Sequence, residues 1–141
     1  MASILKVDEM QGVTSAGDIT ITSEGGSATQ SLQQGVAKAW VNFDGSASGA
    51  ASADSFNESS MTDNGTGDHT FTMSNAMSNA NYSSNVTGSN KSGAANHGIT
   101  MINKSEAAPT TTALRVRGAN LADNSSQDLQ IICIAIHGDL A

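Results

Sequence analysis

The chain of 141 residues is short of aromatic rings, of cysteine, of proline and of positive charge. Each shortage excludes something. The aromatics are Trp40, Phe43, Phe56, Phe71 and Tyr82, all between residues 40 and 82. Large rings normally dominate core burial, so this set predicts a thin core for a monomer and some core shared with a neighbouring subunit. A single cysteine, Cys133, allows neither an intrachain disulfide nor a cysteine-based zinc site. Within its apolar run it is expected to be a small buried hydrophobe. The six basic residues, Lys6, Lys38, Lys91, Lys104, Arg115 and Arg117, are scattered, and the net charge is −7. Nucleic acid is bound through clustered positive charge that displaces counterions, so a nucleic-acid partner is not expected. Nor is an anionic membrane surface.

Long apolar runs are missing too. No stretch approaches the roughly 20 residues of a membrane-spanning helix. The opening Met1-Ala-Ser-Ile-Leu-Lys-Val-Asp-Glu9 carries charge at once and has no apolar segment of signal-peptide type. Synthesis in a cytoplasm is the expectation.

What is abundant is Ser, Gly, Asn, Thr and Ala, interrupted by short alternating apolar segments. Residues 1–35 read as an arm: a short strand at Ser3–Val7, a second at Asp18–Ser23 where Ile alternates with Thr, and a flexible linker at Glu24–Gln30. The body, 36–141, starts with Ala37–Phe43, which places Ala37, Ala39, Val41 and Phe43 on one face and Trp40 on the other. Asp44-Gly45 ends it, and Ser46–Ala53 reads as a loop. Phe56 anchors a short strand. Met61–Met73 reads as a hairpin turned at Asn64-Gly65, with Phe71 and Met73 on one face and Thr70 and Thr72 on the other. Strands follow at Asn81–Thr87, Ile99–Asn103 and Ala113–Arg117, with Gly88–Gly98 and Gly118–Gln127 as loops and Pro109 in another. Leu129–His137 is apolar on both faces, which predicts a central strand covered twice. No helix is expected. Strands every ten to fifteen residues with turn chemistry between them predict an all-β chain, a small antiparallel β-sandwich of jelly-roll-like kind with an extended N-terminal arm.

The ordered series Ala37-Lys-Ala-Trp-Val-Asn-Phe-Asp-Gly45, Asp54-Ser-Phe-Asn-Glu-Ser-Ser60, Met61-Thr-Asp-Asn-Gly-Thr-Gly-Asp68 and Met77-Ser-Asn-Ala-Asn-Tyr82 resembles a module of tail-fibre and other virion-surface proteins of tailed bacteriophages, especially those of marine bacteria. The usual pattern there is Lys-Ala-Trp-Val-Asn-Phe, then Ser-Phe-Asn-Val-Ser-Ser, then Asp-Asn-Gly-x-Gly-Asp, then Ala-Asn-Tyr. Ser3–Gln11 resembles the opening of those proteins, Asp18-Ile-Thr-Ile-Thr their spacer, and Ile131–Gly138 their closing strand. Glu58 departs from the pattern, which has an apolar residue there, and the segment from Tyr82 to Gly98 is more polar than usual. The resemblance implies a virion location on the particle exterior, as a capsid decoration, knob or short tail-fibre-type component.

Catalytic chemistry is sparse. His69, His97 and His137 lack metal-ligand spacing. Asp63-Asn-Gly-Thr-Gly-Asp68 has neither the acidic order of a calcium loop nor a glutamate at its twelfth position, where Ser74 stands. Gly65-x-Gly67 lacks the third glycine of a phosphate loop, and no Gly-x-Ser-x-Gly elbow occurs. Glu58, Asp63 and Asp68 are the local carboxylates a glycosidase would need, but they read as solvated loop charge. The expectation is therefore a non-enzyme without cofactor or metal. Its expected partners are itself, as a homotrimer, and other virion proteins of capsid or tail, gripped through Ile4, Leu5, Val7, Ile19 and Ile21 by strand addition. The alternative is an adhesin for a host receptor or surface glycan, for which Tyr82, and beside it Trp40, are the available contact rings, although both are expected rather in the core.

Overall fold

The computed structural model describes residues 4–13, 19–22, 25–89, 99–103, 107–120 and 123–141. They divide into two units, Met1–Val36 and Ala37–Ala141. His97, most of the Gly88–Gly98 loop and the ends of the Asp18–Ser23 strand lie outside the described residues.

In the first unit, β1 (Thr20–Thr22) pairs antiparallel with β2 (Thr29–Ser31), with Ile21 opposite Gln30. The Leu32 amide donates to the Ile19 carbonyl at 2.7 Å. Two expectations fail here. Residues 4–7 form no strand, because an alternating segment becomes a strand only when another strand completes its hydrogen bonds. The Glu24–Gln30 linker gives way to β2, which runs into a single helical turn, α1 (Leu32–Gly35), with no buried residue. One turn is too short to leave an amphipathic period in the sequence.

The second unit is a sandwich of eight strands: β3 (Ala39–Phe43), β4 (Ser52–Phe56), β5 (Glu58–Gly65), β6 (Asp68–Met73), β7 (Ser83–Ser89), β8 (Ile99–Asn103), β9 (Ala113–Asn120) and β10 (Ile131–His137). They form two four-stranded sheets, ordered β4-β3-β10-β7 and β5-β6-β9-β8, with every neighbouring pair antiparallel. The small antiparallel β-sandwich is thus what the sequence encodes. Alternation explains it. Ala39, Val41 and Phe43 of β3 and Ile132, Ile134 and Ile136 of β10 point inward from one sheet. Phe71 and Met73 of β6 and Leu114 and Val116 of β9 meet them from the other. Burying each such side chain contributes about 1.5–3 kcal/mol relative to exposure.

Asn57 makes the corner between the sheets. It takes φ 58°, a left-handed conformation that asparagine tolerates better than most residues, so that β4 of one sheet continues into β5 of the other. Its Nδ2 donates to the carbonyls of Lys38 and Asn75, both at 3.1 Å, and its Oδ1 accepts from the Asn75 amide at 2.7 Å. The β5–β6 hairpin turns through Thr66-Gly67, with Gly65 opposite Asp68. The positive φ falls at Gly65 and Gly67 rather than at Asn64. At Gly67 a side chain would lie 2.6 Å from both the Gly118 carbonyl oxygen and the Gln127 amide nitrogen, so the hairpin tip closes on the loop after β9. That strand runs on to Asn120, with Gly118 and Ala119 buried, where a loop from Gly118 was expected.

Three burial expectations are also overturned. β10 is central, but among the described residues only its inward face is fully buried: Ile131 is exposed, and Cys133 and Ala135 are half-buried on the outward side. Cys133 is therefore not a core residue. Trp40, expected in the core, faces outward and is exposed. Trp40 and the outward residues of β10 lie on the same side, and among the described strands of this unit none packs over them.

Candidate functional site

The outward face of the β4-β3-β10-β7 sheet carries the feature that sequence reasoning missed. Trp40 of β3 and Phe56 of β4 are Cα partners, and on its other side Trp40 is opposite Ala135 of β10. Residues opposite each other in an antiparallel pair point to the same side with their Cβ atoms about 4.5–5.5 Å apart. The two rings therefore form one shelf, with Trp40 36% and Phe56 53% exposed. The next row outward is Asp54, Asn42, Cys133 and Thr87. Ser83, Asn85, Thr87 and Ser89 make the outward side of β7 entirely polar. No lysine or arginine lies on these four strands. The opposite face of the sandwich differs. There Thr62, Thr70, Thr72, Arg115 and Arg117 face water, and Asn64 Nδ2 donates to Thr70 Oγ1 at 2.8 Å.

Chain alternation over Ala39–Phe43 already sets Trp40 apart from the buried side. What the sequence did not tell is that, among the described strands of the unit, none packs over that side. Phe43 and Phe71 are fully buried and Tyr82 is half-buried, so among the described residues Trp40 and Phe56 are the two exposed aromatics, and they are register partners.

Tyr82, a candidate contact ring expected rather in the core, is half-buried against the core, and its hydroxyl donates to the Ala113 carbonyl at 3.1 Å. Burial raises the pKa of that phenol above its ordinary value. It is a structural strut between β7 and β9 rather than a surface platform. The arm residues Ile4 and Leu5 are 78% and 79% exposed, Val7 is exposed, Ile19 is half-buried and Ile21 is exposed. Ile21, Ala28, Thr29 and Gln30 line a shallow depression on the β1–β2 ribbon.

The carboxylates do not converge on a cleft. Asp68, expected as solvated loop charge, is largely covered and forms a bidentate pair with Arg115. Glu58 is half-buried and accepts from the Ser52 hydroxyl at 2.6 Å across the corner. Asp63 Oδ1 caps the hairpin by accepting from the Gly65 amide at 2.8 Å. Asp123, fully exposed, has its pKa lowered by hydrogen bonds from the Ser125 hydroxyl and amide.

His69 is fully buried edge-to-face against Phe43, with Nε2 3.2 Å from the Gly45 carbonyl oxygen. A side chain at Gly45 would meet His69 and Ile132 at under 3 Å, which explains the glycine that ends β3. Among the described residues no three His, Cys, Asp or Glu side chains gather as a metal site, and no helix is long and apolar enough to cross a membrane. The candidate site is the outward face of the β4-β3-β10-β7 sheet around Trp40 and Phe56. Comparison of the chain with protein-family models, with curated proteins and with solved structures finds no match.

Proposed function

We propose that this protein is a non-enzymatic structural component of a tailed-bacteriophage virion, placed on the particle exterior as a capsid decoration, knob or short tail-fibre-type fitting. The first unit supports this reading. It presents Ile4, Leu5, Val7, Met10 and Val13 uncovered, beside a two-stranded ribbon of three-residue strands. A two-stranded ribbon is marginal alone in water, and apolar side chains in such a segment gain burial only against a partner. In the proposed arrangement Ile4, Leu5, Val7, Ile19 and Ile21 are the grip on a neighbouring capsid or tail subunit, by strand addition. The sandwich is the displayed part, and three copies associate. The ordered motifs from Ala37 to Tyr82 supply the phage assignment by resemblance.

Antibody-gold labelling of intact particles, viewed by electron microscopy, tests the reading. Label over the head identifies a capsid fitting, label on the tail a tail fitting, and unlabelled particles overturn the proposal. Light scattering of the purified chain tests the trimer, and a monomer at micromolar concentration removes it.

A further inference from the structure

Going beyond a structural role, we propose that the Trp40–Phe56 shelf is a binding face for uncharged polysaccharide. The two rings are register partners on the outward side of one sheet, and Ala135 on the far side of Trp40 is small. A small neighbour leaves room beside the indole for a flat ligand. Aromatic faces carry negative quadrupole charge and attract the slightly positive C–H faces of pyranose rings. Along the shelf, Asp54 and Asn42 form the adjacent cross-strand row, and Asn85 lies opposite Ala135. These are the planar carboxylate and amide groups that hydrogen-bond neighbouring hydroxyls. Asp54 uses one oxygen to accept from the Ser55 amide at 2.9 Å, and a carboxylate has further acceptor sites.

Shape and charge choose among occupants. The face is a sheet surface with strands about 4.8 Å apart, so four strands span about 14 Å. That suits a chain laid across it rather than a single sugar held in a pocket. With Asp54 present, no lysine or arginine on the four strands and His137 as their one histidine, an anionic polymer finds no fixed positive charge there, and the net charge of −7 opposes it. A second protein copy would have to strip water from Ser83, Asn85, Thr87 and Ser89, whereas permanent subunit interfaces are apolar at their centre. A polyhydroxyl ligand replaces those water hydrogen bonds with its own.

The test uses the full chain in native affinity electrophoresis through gels containing a β-1,3-glucan, a mannan or a galactan, with alginate as the anionic control. Trp40 is the only tryptophan, so its fluorescence reports occupancy in a parallel titration. At least one neutral polymer is expected to retard the protein and shift Trp40 emission saturably, with alginate inert. Phe56→Ala and Trp40→Ala are each expected to weaken retardation about tenfold, the loss of roughly 1.4 kcal/mol of ring contact. Tyr82→Phe should leave retardation unchanged. Phe56→Ser, at the more exposed ring, serves if Trp40→Ala fails to fold. The proposal is overturned if no neutral polymer retards the protein, if alginate binds better, or if the ring variants bind like the parent. It is equally overturned if Phe56→Ala lowers the mass measured by light scattering, because the shelf is then a contact between copies.

Discussion

Arg115 grips Asp68 diagonally across β6 and β9, with Nε 2.7 Å from Oδ1 and Nη2 2.6 Å from Oδ2. The register partner of Asp68 is Arg117, not Arg115, so the ion pair ties two successive rows of the polar face. Bidentate geometry makes it stronger than an ordinary surface pair, while the partial exposure of Arg115 (32%) limits it by solvent screening. Arg115→Ala is expected to cost about 2 kcal/mol, since it removes both charge-assisted hydrogen bonds that Arg115 gives the largely covered Asp68. Asp68→Ala should cost a similar amount, and the double variant clearly less than the sum. Urea unfolding followed by Trp40 fluorescence reads all three, and strict additivity would show that the pair does not couple.

Asn57 offers a sharper contrast between two substitutions. Asn57→Ala removes the hydrogen bonds to Lys38, Asn75 and the Asn75 amide, and also forces a Cβ-bearing residue without local compensation to hold φ 58°. A loss of about 2–4 kcal/mol is expected from the two effects together. Asn57→Gly loses the same hydrogen bonds but keeps the backbone freedom, so it should be the milder by about 1 kcal/mol. Equal losses in thermal unfolding would mean that the corner is held by hydrogen bonding alone.

Much of this fold was legible because strands announce themselves by alternation. Val41 and Phe43, Phe71 and Met73, Leu114 and Val116, and Ile132, Ile134 and Ile136 each mark the buried side of a strand, and each is buried. What the sequence hid was long-range. Whether the outward side of β10 is covered depends on a layer that no local pattern encodes, so Ile131 and Cys133 read as core and are not. Around Phe56 the sequence shows one short strand, but Asn57 turns the chain there from a strand of one sheet into a strand of the other by a single backbone angle. Asp68 reads as loop charge because its partner lies 47 residues away in sequence. The shelf was half legible. Trp40 sits opposite the buried alternation, but its pairing with Phe56 rests on strand register, which short polar strands do not specify.

The core itself makes the plainest prediction. Ile134 stands between Val41 and Val86 at the centre of its sheet and is 2% exposed. Ile134→Asp buries a charge with no partner, which costs more than the roughly 5–15 kcal/mol by which a whole domain is stable can comfortably absorb. Circular dichroism should show no cooperative unfolding. Ile134→Val, which removes one methylene group, should cost only about 1 kcal/mol and keep the transition. A folded Ile134→Asp protein would mean that the two sheets do not pack through this strand.

Tyr82 provides a pH-dependent test, aided by its being the only tyrosine. Burial raises its pKa, so the folded state holds the phenolic proton more tightly than the unfolded chain does. The stability this contributes is fully present below the unfolded value of about 10. It is lost as pH rises through that value toward the folded one, because the unfolded state then gains by ionising first. Tyr82→Phe removes the hydrogen bond to the Ala113 carbonyl, at a cost of about 1 kcal/mol near neutrality. It also removes this one contribution to the alkaline slope. Melting curves of the two proteins should therefore converge above pH 10, and phenolate absorbance of the folded parent should titrate later than that of the urea-unfolded chain. Coincident titrations would place the Tyr82 ring in solvent and restore it as a candidate contact on the surface.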